Sequence, residues 1–168
     1  RKSITIPASS EQTLLELTAF YSIEDDYDYA QVMVNGEAIS SQYTKTNNPY
    51  HSNLGPHITG DSSSNGDAML PNNHLTHQFD LSAYAGETVT LEFRYVTDSY
   101  VNYFGIVFDD LKLIQQGEIV WTDNAEQKTN FELAGFSRVG AYVYDTAKHY
   151  YLQLRNYVGI DSGLQKEQ

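Results

Sequence analysis

The chain has 168 residues, with 10 Lys plus Arg against 22 Asp plus Glu and a formal net charge of -12. That length accommodates one well-packed domain with room for part of a second, and the negative balance opposes nucleic-acid phosphates and anionic lipid surfaces while favouring cationic partners, divalent metals included. Cysteine is absent, which excludes a disulfide framework, a thiol nucleophile and a thiolate zinc site, and no apolar run reaches membrane-spanning length.

The 14 tyrosines among only 19% charged residues suit half-buried strand positions. The chain starts at Arg1 without an export signal and reads as an excised fragment of a longer protein. Ile4 and Ile6 alternate ahead of Pro7, and residues 13–21 predict a stronger strand with Leu15, Leu17 and Ala19 on one face. An acidic run follows, then period-two alternation over 29–34 that ends in Asn35-Gly36, a favoured type I′ hairpin turn, with a return strand over 37–40. Residues 42–73 are rich in Asn, Ser, Gly, Pro and His and read as a long excursion with one short strand inside it. A loop of that length calls for a functional reason, so it is a candidate for ligand-facing or stability-tuning decoration, or a family insertion with no ligand.

Residues 75–81 resume strand character, 82–86 make a compact turn, and 88–96 alternate as Val89, Leu91, Phe93 and Tyr95 against Thr90, Glu92 and Arg94. A loop over 97–102 leads to a strand over 103–114. After Gly117 a less regular unit begins, with a strand near 118–121 and two more over 139–144 and 150–158. No long period-3.6 pattern is present, so the expectation is an all-β chain, an antiparallel β-sandwich or jelly roll over residues 1–117. Residues 118–168 are expected to be a short C-terminal β extension, or the truncated start of the following domain.

The densest chemistry lies in residues 21–30, Tyr-Ser-Ile-Glu-Asp-Asp-Tyr-Asp-Tyr-Ala, where Glu24, Asp25, Asp26 and Asp28 crowd between two strands. Like charges so close cost energy unless water, donors or a cation offset them. Calcium takes six to eight oxygen ligands, and Glu24, Asp25 and Asp28 with the distant pair Asp109 and Asp110 would supply carboxylates if the sandwich brings them to one edge. Read from the residues alone, the run is first a solvated acidic turn and next a calcium site, and its spacing is not that of an EF-hand loop. Asp26 is expected to face solvent, Asp80 to enter an Asx-type turn before Ser82, and Asp98 to sit in an ordinary loop.

The five histidines, His51, His57, His74, His77 and His149, lack the HExxH setting of catalytic zinc and read as polar-loop residues. No Gly-x-Ser-x-Gly elbow or phosphate-binding loop is present, so no catalytic site is expected. Tyr50, Tyr100, Tyr103 and Trp121 are candidates for stacking on a sugar, against the commoner role of core or interface aromatics.

Residues 21–30, 79–95 (Phe-Asp-Leu-Ser-Ala-Tyr-Ala-Gly-Glu-Thr-Val-Thr-Leu-Glu-Phe-Arg-Tyr), 105–111 (Gly-Ile-Val-Phe-Asp-Asp-Leu) and 150–161 together resemble the non-catalytic region after the protease domain in immune inhibitor A-type secreted bacterial zinc metallopeptidases. The resemblance implies a MAM-like or carbohydrate-module-like jelly roll with structural calcium and no zinc of its own. Glu24, Asp25, Asp28 and Asp110, with Asp109 beside it, are then the ligands or their neighbours. It also implies an extracellular accessory domain whose partners are the protease domain and the following domain of the same parent chain, and a protein or glycan surface. A carbohydrate or cell-surface binding module is the alternative. The family's Asp-Gly-Gly-x-Ser-Trp insert after the hairpin is replaced here by Asn35-Gly-Glu-Ala-Ile-Ser and the long excursion, so contacts made through that insert do not carry over.

Overall fold

The computed structural model of the chain describes residues 1–9, 11–63, 73–101, 103–125 and 130–138. The strands expected over 139–144 and 150–158, and His149, lie outside them. Among the described residues there are nine strands: β1 (Lys2–Thr5), β2 (Thr13–Ile23), β3 (Tyr29–Val34), β4 (Glu37–Ala38), β5 (Gly60–Asp61), β6 (Leu75–Asp80), β7 (Thr88–Val96), β8 (Gly105–Gln115) and β9 (Glu118–Asp123). The helical content of those residues is a single 3-10 turn, Ser82–Tyr84.

The strands form two antiparallel sheets, β1-β7-β3-β4 and β5-β2-β8-β9, with β6 also pairing β2. Since β8 runs along one side of β2 from Thr13 to Ser22, β6 and β5 share its other side, β6 opposite Leu14 to Ala19 and β5 opposite Ser22 and Ile23. Alternation does the sorting. Leu15, Leu17 and Ala19 of β2 face Val32 and Val34 of β3 and Val89 and Leu91 of β7 across a buried core, each sheet turning one face inward. The architecture is the all-β sandwich that the patterning predicts.

The hairpin forms as its dipeptide demands: Asn35 and Gly36 have φ of 53° and 88°, both positive as a type I′ turn requires. Its return strand is shorter than expected, Glu37–Ala38. After the Ile39 N–H donates to the Val32 carbonyl at 2.9 Å, the chain turns away through Ser41, whose N–H donates to Thr44 Oγ1 at 3.1 Å.

β8 carries a bulge. Thr18 pairs Asp109 and Glu16 pairs Lys112, so Asp110 and Leu111 together stand opposite Leu17. Asp110 takes the extra place at φ 50°, and its N–H donates to Asp109 Oδ1 at 2.7 Å. Asp is one of the few residues that visits the left-handed region readily. The extra residue shifts the phase of the strand, so that Ile106 before it and Leu111 and Leu113 after it all point into the core. A regular strand would have aimed Lys112 inward instead.

The excursion from 42 to 63 is packed against both sheets. Lys45 and His57 bridge each other, Ile58 exchanges backbone hydrogen bonds with Ala30 on β3, and β5 then joins β2. Ser62 closes this path by accepting from the Tyr21 N–H at 3.0 Å. Ile58 is fully buried, so the excursion contributes to the core while lacing the edge of one sheet to the edge of the other. At the opposite edge, β9 continues the second sheet beyond residue 117 by pairing β8 from Leu111 to Gln115.

A candidate metal centre at the acidic turn

Between β2 and β3 the chain makes one helix-like turn, closed by the Asp28 N–H donating to the Glu24 carbonyl at 3.1 Å. Asp26 sits at φ 67°. The Thr59 side chain, brought over by the excursion, fixes the turn from inside: its Oγ1 accepts from the Asp26 N–H at 3.0 Å and donates toward the carbonyls of Asp28 at 2.8 Å and Glu24 at 3.2 Å. Gly60 follows at φ +81°, and a Cβ there would stand 3.3 Å from Asp25 Oδ1.

Sheet register then delivers a third acid. β3 pairs β7 with Tyr29 opposite Val96, so the residues just beyond that pair on the two chains meet. The Asp98 N–H donates to Asp28 Oδ1 at 2.8 Å, and Glu24, Asp28 and Asp98 each present a carboxylate oxygen within 4.8 Å of the other two. Oxygens on opposite sides of a calcium ion are about 4.8 Å apart. Asp28 is fully buried, yet its Oδ2 has no hydrogen-bond partner, and neither has the buried Oε2 of Glu24. Buried oxygens left unpaired are costly, and a hard divalent cation satisfies both at once. The set contains oxygen donors alone, which suits calcium or magnesium and not zinc.

The electrostatics agree with that geometry. Burial pushes the Asp28 carboxyl up to about 6; the charges of Asp98 and Glu24 add to the rise, while the Asp98 N–H and the Tyr95 phenol oppose it. Glu24 is raised as well, by burial and then by Asp98. Tyr95 itself is pushed up by burial and by the Asp28 charge. In the absence of a cation this corner therefore holds carboxylates that resist ionising.

The remaining acids go elsewhere. Asp25 and Asp26 receive Lys45 Nζ at 2.6 Å and 3.3 Å in a surface ion pair. Asp109 and Asp110 occupy the bulge opposite Leu17, and from Thr18, the partner of Asp109, to Glu24 the strand climbs roughly 20 Å. Asp80 accepts from the Ser82 N–H at 2.9 Å, the Asx-type turn expected of it. Asp98, read from sequence as a loop acid, is the member of the cluster that sequence reasoning missed. The signal was its place two residues beyond the end of β7, but which strand β7 would pair was not written in the sequence.

The described histidines are dispersed. His51 Nε2 bonds the Tyr27 carbonyl at 3.1 Å, His57 Nδ1 the Gly55 carbonyl at 2.9 Å, and His74 stacks on Phe20. His77 is buried on β6 with Nδ1 2.8 Å from Ser41 Oγ, and burial pushes its pKa down to about 4. That low basicity and a buried, unpartnered Nε2 make it a poor general base for Ser41. Among the described residues, Glu24, Asp28 and Asp98 are the group that converges as metal ligands would.

Comparison with known proteins bears on the family of the chain. A family model described as the immune inhibitor A-like MAM domain matches residues 1–141. The Pre-pro-metalloprotease PrtV of Vibrio cholerae serotype O1 (strain ATCC 39315 / El Tor Inaba N16961) is 42% identical over 164 residues, covering 97% of this chain and 17% of that protein. Immune inhibitor A of Bacillus thuringiensis subsp. alesti is 30% identical over 151 residues, 89% of this chain and 20% of that protein. The chain thus spans a fifth or less of the length of these relatives.

Proposed function

Because the chain belongs to the immune inhibitor A-like MAM domain family, we propose that it is a non-catalytic accessory domain of a secreted zinc metallopeptidase, held in shape by a structural calcium ion. Its partners are the protease domain and the following domain of the same parent chain, to which it presents a rigid β-sandwich. The names and lengths of the relatives support the parent context. The observation that carries the calcium reading is the pair of buried, unpartnered oxygens, Asp28 Oδ2 and Glu24 Oε2, beside Asp98.

The ion would be held by Glu24, Asp28 and Asp98, with water completing its coordination. When bound it supplies positive charge where three carboxylates meet, and no bond-making step is asked of it. The chain's own groups preset the site: Thr59 fixes the turn, the Asp98 amide orients Asp28, and β3 and β7 clamp the two acidic segments. Calcium then joins the end of β2 to the end of β7, and hence one sheet to the other.

Thermal unfolding of the chain in calcium and in EDTA tests this. A ligand at a hundred times its Kd stabilises by about 2.7 kcal/mol, which raises Tm by roughly 5–10 °C in a domain of this size. Identical melting curves in calcium and EDTA overturn the calcium reading. Cleavage of casein by the isolated chain overturns the non-catalytic one.

A further inference from the structure

A second feature, separate from the acidic turn, is a cleft of about 570 Å3 on the outer face of the first sheet. Its floor is the outward set of β3, Tyr29, Gln31 and Met33, which alternates with the core-facing Ala30, Val32 and Val34. Outward residues of a sheet face normally meet water, but Gln31 and Met33 are only 3% and 5% exposed, with residues 50–54 lying alongside them as a wall. That wall is pinned. Gln31 Nε2 donates to the Leu54 carbonyl at 2.8 Å, and Asn48 Oδ1 accepts from the N–H groups of Tyr50 and His51 at 2.9 Å and 3.0 Å. Arg94, opposite Gln31 in the sheet register, stands on the other side, and Gly36 to Ala38 close one end.

The chemistry of this cleft selects among ligands. An anionic ligand finds only one guanidinium, already paired with Glu92 at 3.3 Å, on a chain of net charge -12. A peptide adding as a β-strand needs a free edge of some length, whereas the edge strand at this cleft, β4, is only 2 residues long and the floor is the outer face of β3. Apart from Arg94 and the Glu37 carboxylate at one end, the polar lining is uncharged donors and acceptors, Ser52 and Asn53 among them, next to tyrosine rings. Tyr50 is 59% exposed, and its ring is set in place by stacking on Tyr27 at 4.3 Å and 20°. Fixed aromatic faces beside hydroxyl-matching polar groups suit a ligand with apolar ring faces and many hydroxyls.

We infer that this cleft binds a neutral oligosaccharide, with Tyr50 as the stacking platform and Arg94, Ser52 and Asn53 as hydrogen-bond partners for sugar hydroxyls. The inference uses none of the proposed calcium ligands, since Glu24, Asp28 and Asp98 do not line the cleft, although Tyr27 of the acidic turn braces its wall through the Tyr50 stack and the bond from His51.

The test is amide NMR titration of the full chain with chitotriose, mannotriose, xylotriose and cellotriose, each in calcium and in EDTA. At least one sugar is expected to shift the amides of Gln31, Tyr50, Asn53 and Arg94. Tyr50→Ala, and separately Arg94→Ala, should weaken that binding roughly tenfold, while Tyr100→Ala, exposed and outside the cleft lining, leaves it unchanged. Arg94→Ala covers the case in which Tyr50→Ala disturbs the fold, since its side chain is 47% exposed. Absence of shifts at these amides with all four sugars, or binding that survives both substitutions, overturns the proposal. An effect of EDTA on the melting curve without an effect on sugar binding separates this site from the calcium centre.

Discussion

The backbone N–H of Asp98 donates to Oδ1 of Asp28 at 2.8 Å across 70 residues of sequence. This bond orients one oxygen of a fully buried carboxylate and leaves the other, Oδ2, without a partner.

Replacing Asp28 with Asn keeps the shape and removes the charge. Without calcium, Asp28→Asn is expected to be as stable as the parent or more so, because a buried ionised group is lost. With calcium, it should gain little where the parent gains several degrees. Paired melting curves in calcium and EDTA measure this. Equal calcium responses in the two proteins would remove Asp28 from the ligand set.

The calcium-free protein should show two opposed pH effects. Asp28 rises from 3.8 unfolded to about 6 folded, so its contribution is present below about 4 and is lost as pH rises through 6. His77 falls from 6.5 unfolded to about 4 folded, so its contribution is present above 6.5 and is lost as pH falls toward 4. Between about 4 and 6 the two slopes offset each other. The stability difference between Asp28→Asn and the parent, measured by urea unfolding in EDTA, isolates one of them. It is expected to grow by on the order of 1–3 kcal/mol from pH 4 to pH 7; a difference independent of pH contradicts the raised carboxyl.

Thr59 and Lys45 both reach the acidic turn, and their losses should differ in size. Thr59→Val keeps the volume but removes the hydroxyl that serves the Asp26 N–H and two carbonyls, which costs about 1–3 kcal/mol for groups left unpaired. Lys45→Ala removes an exposed ion pair, worth about 0–1 kcal/mol. Chemical denaturation ranks them, and a larger loss for Lys45→Ala would mean that the ion pair, not the hydroxyl, holds the turn.

The bulge predicts a pattern at position 110. Asp110→Val should destabilise by about 1–2 kcal/mol, because a β-branched residue resists positive φ, while Asp110→Gly should be tolerated. Calcium titration of Asp110→Gly by calorimetry separates this role from ligation. Unchanged calcium affinity fits a bulge residue, and lost affinity would make Asp110 a ligand.

Much of the fold was legible because alternation is a local property. Leu15, Leu17 and Ala19, or Val89 and Leu91, declare their buried face without reference to any partner, and Asn35-Gly36 declares its turn. The bulge was legible in principle too: the inward phase of Ile106 and Phe108 passes to Leu111 and Leu113, a break that an unbroken strand cannot contain. Of the candidate site, Glu24 and Asp28 could be found from their crowding. Asp98 could not, because its role depends on β3 pairing β7 with Tyr29 opposite Val96, a choice made by the whole sandwich. The role of Thr59 was hidden for the same reason: its hydroxyl matters only once the excursion has crossed the edge of both sheets.

Around the Thr59 hydroxyl, the amides of Asp26, Asp28 and Asp98 are each protected by a group belonging to another part of the same corner: the hydroxyl itself, the Glu24 carbonyl and the Asp28 carboxylate. The bonds are linked through shared residues: Thr59 also bonds the Glu24 and Asp28 carbonyls, and Asp28 carries both its own amide and the carboxylate that Asp98 binds. The corner should therefore open as one cooperative unit, with the three amide protons exchanging at a common rate that is slower than that of the exposed loops and faster than that of the core strands.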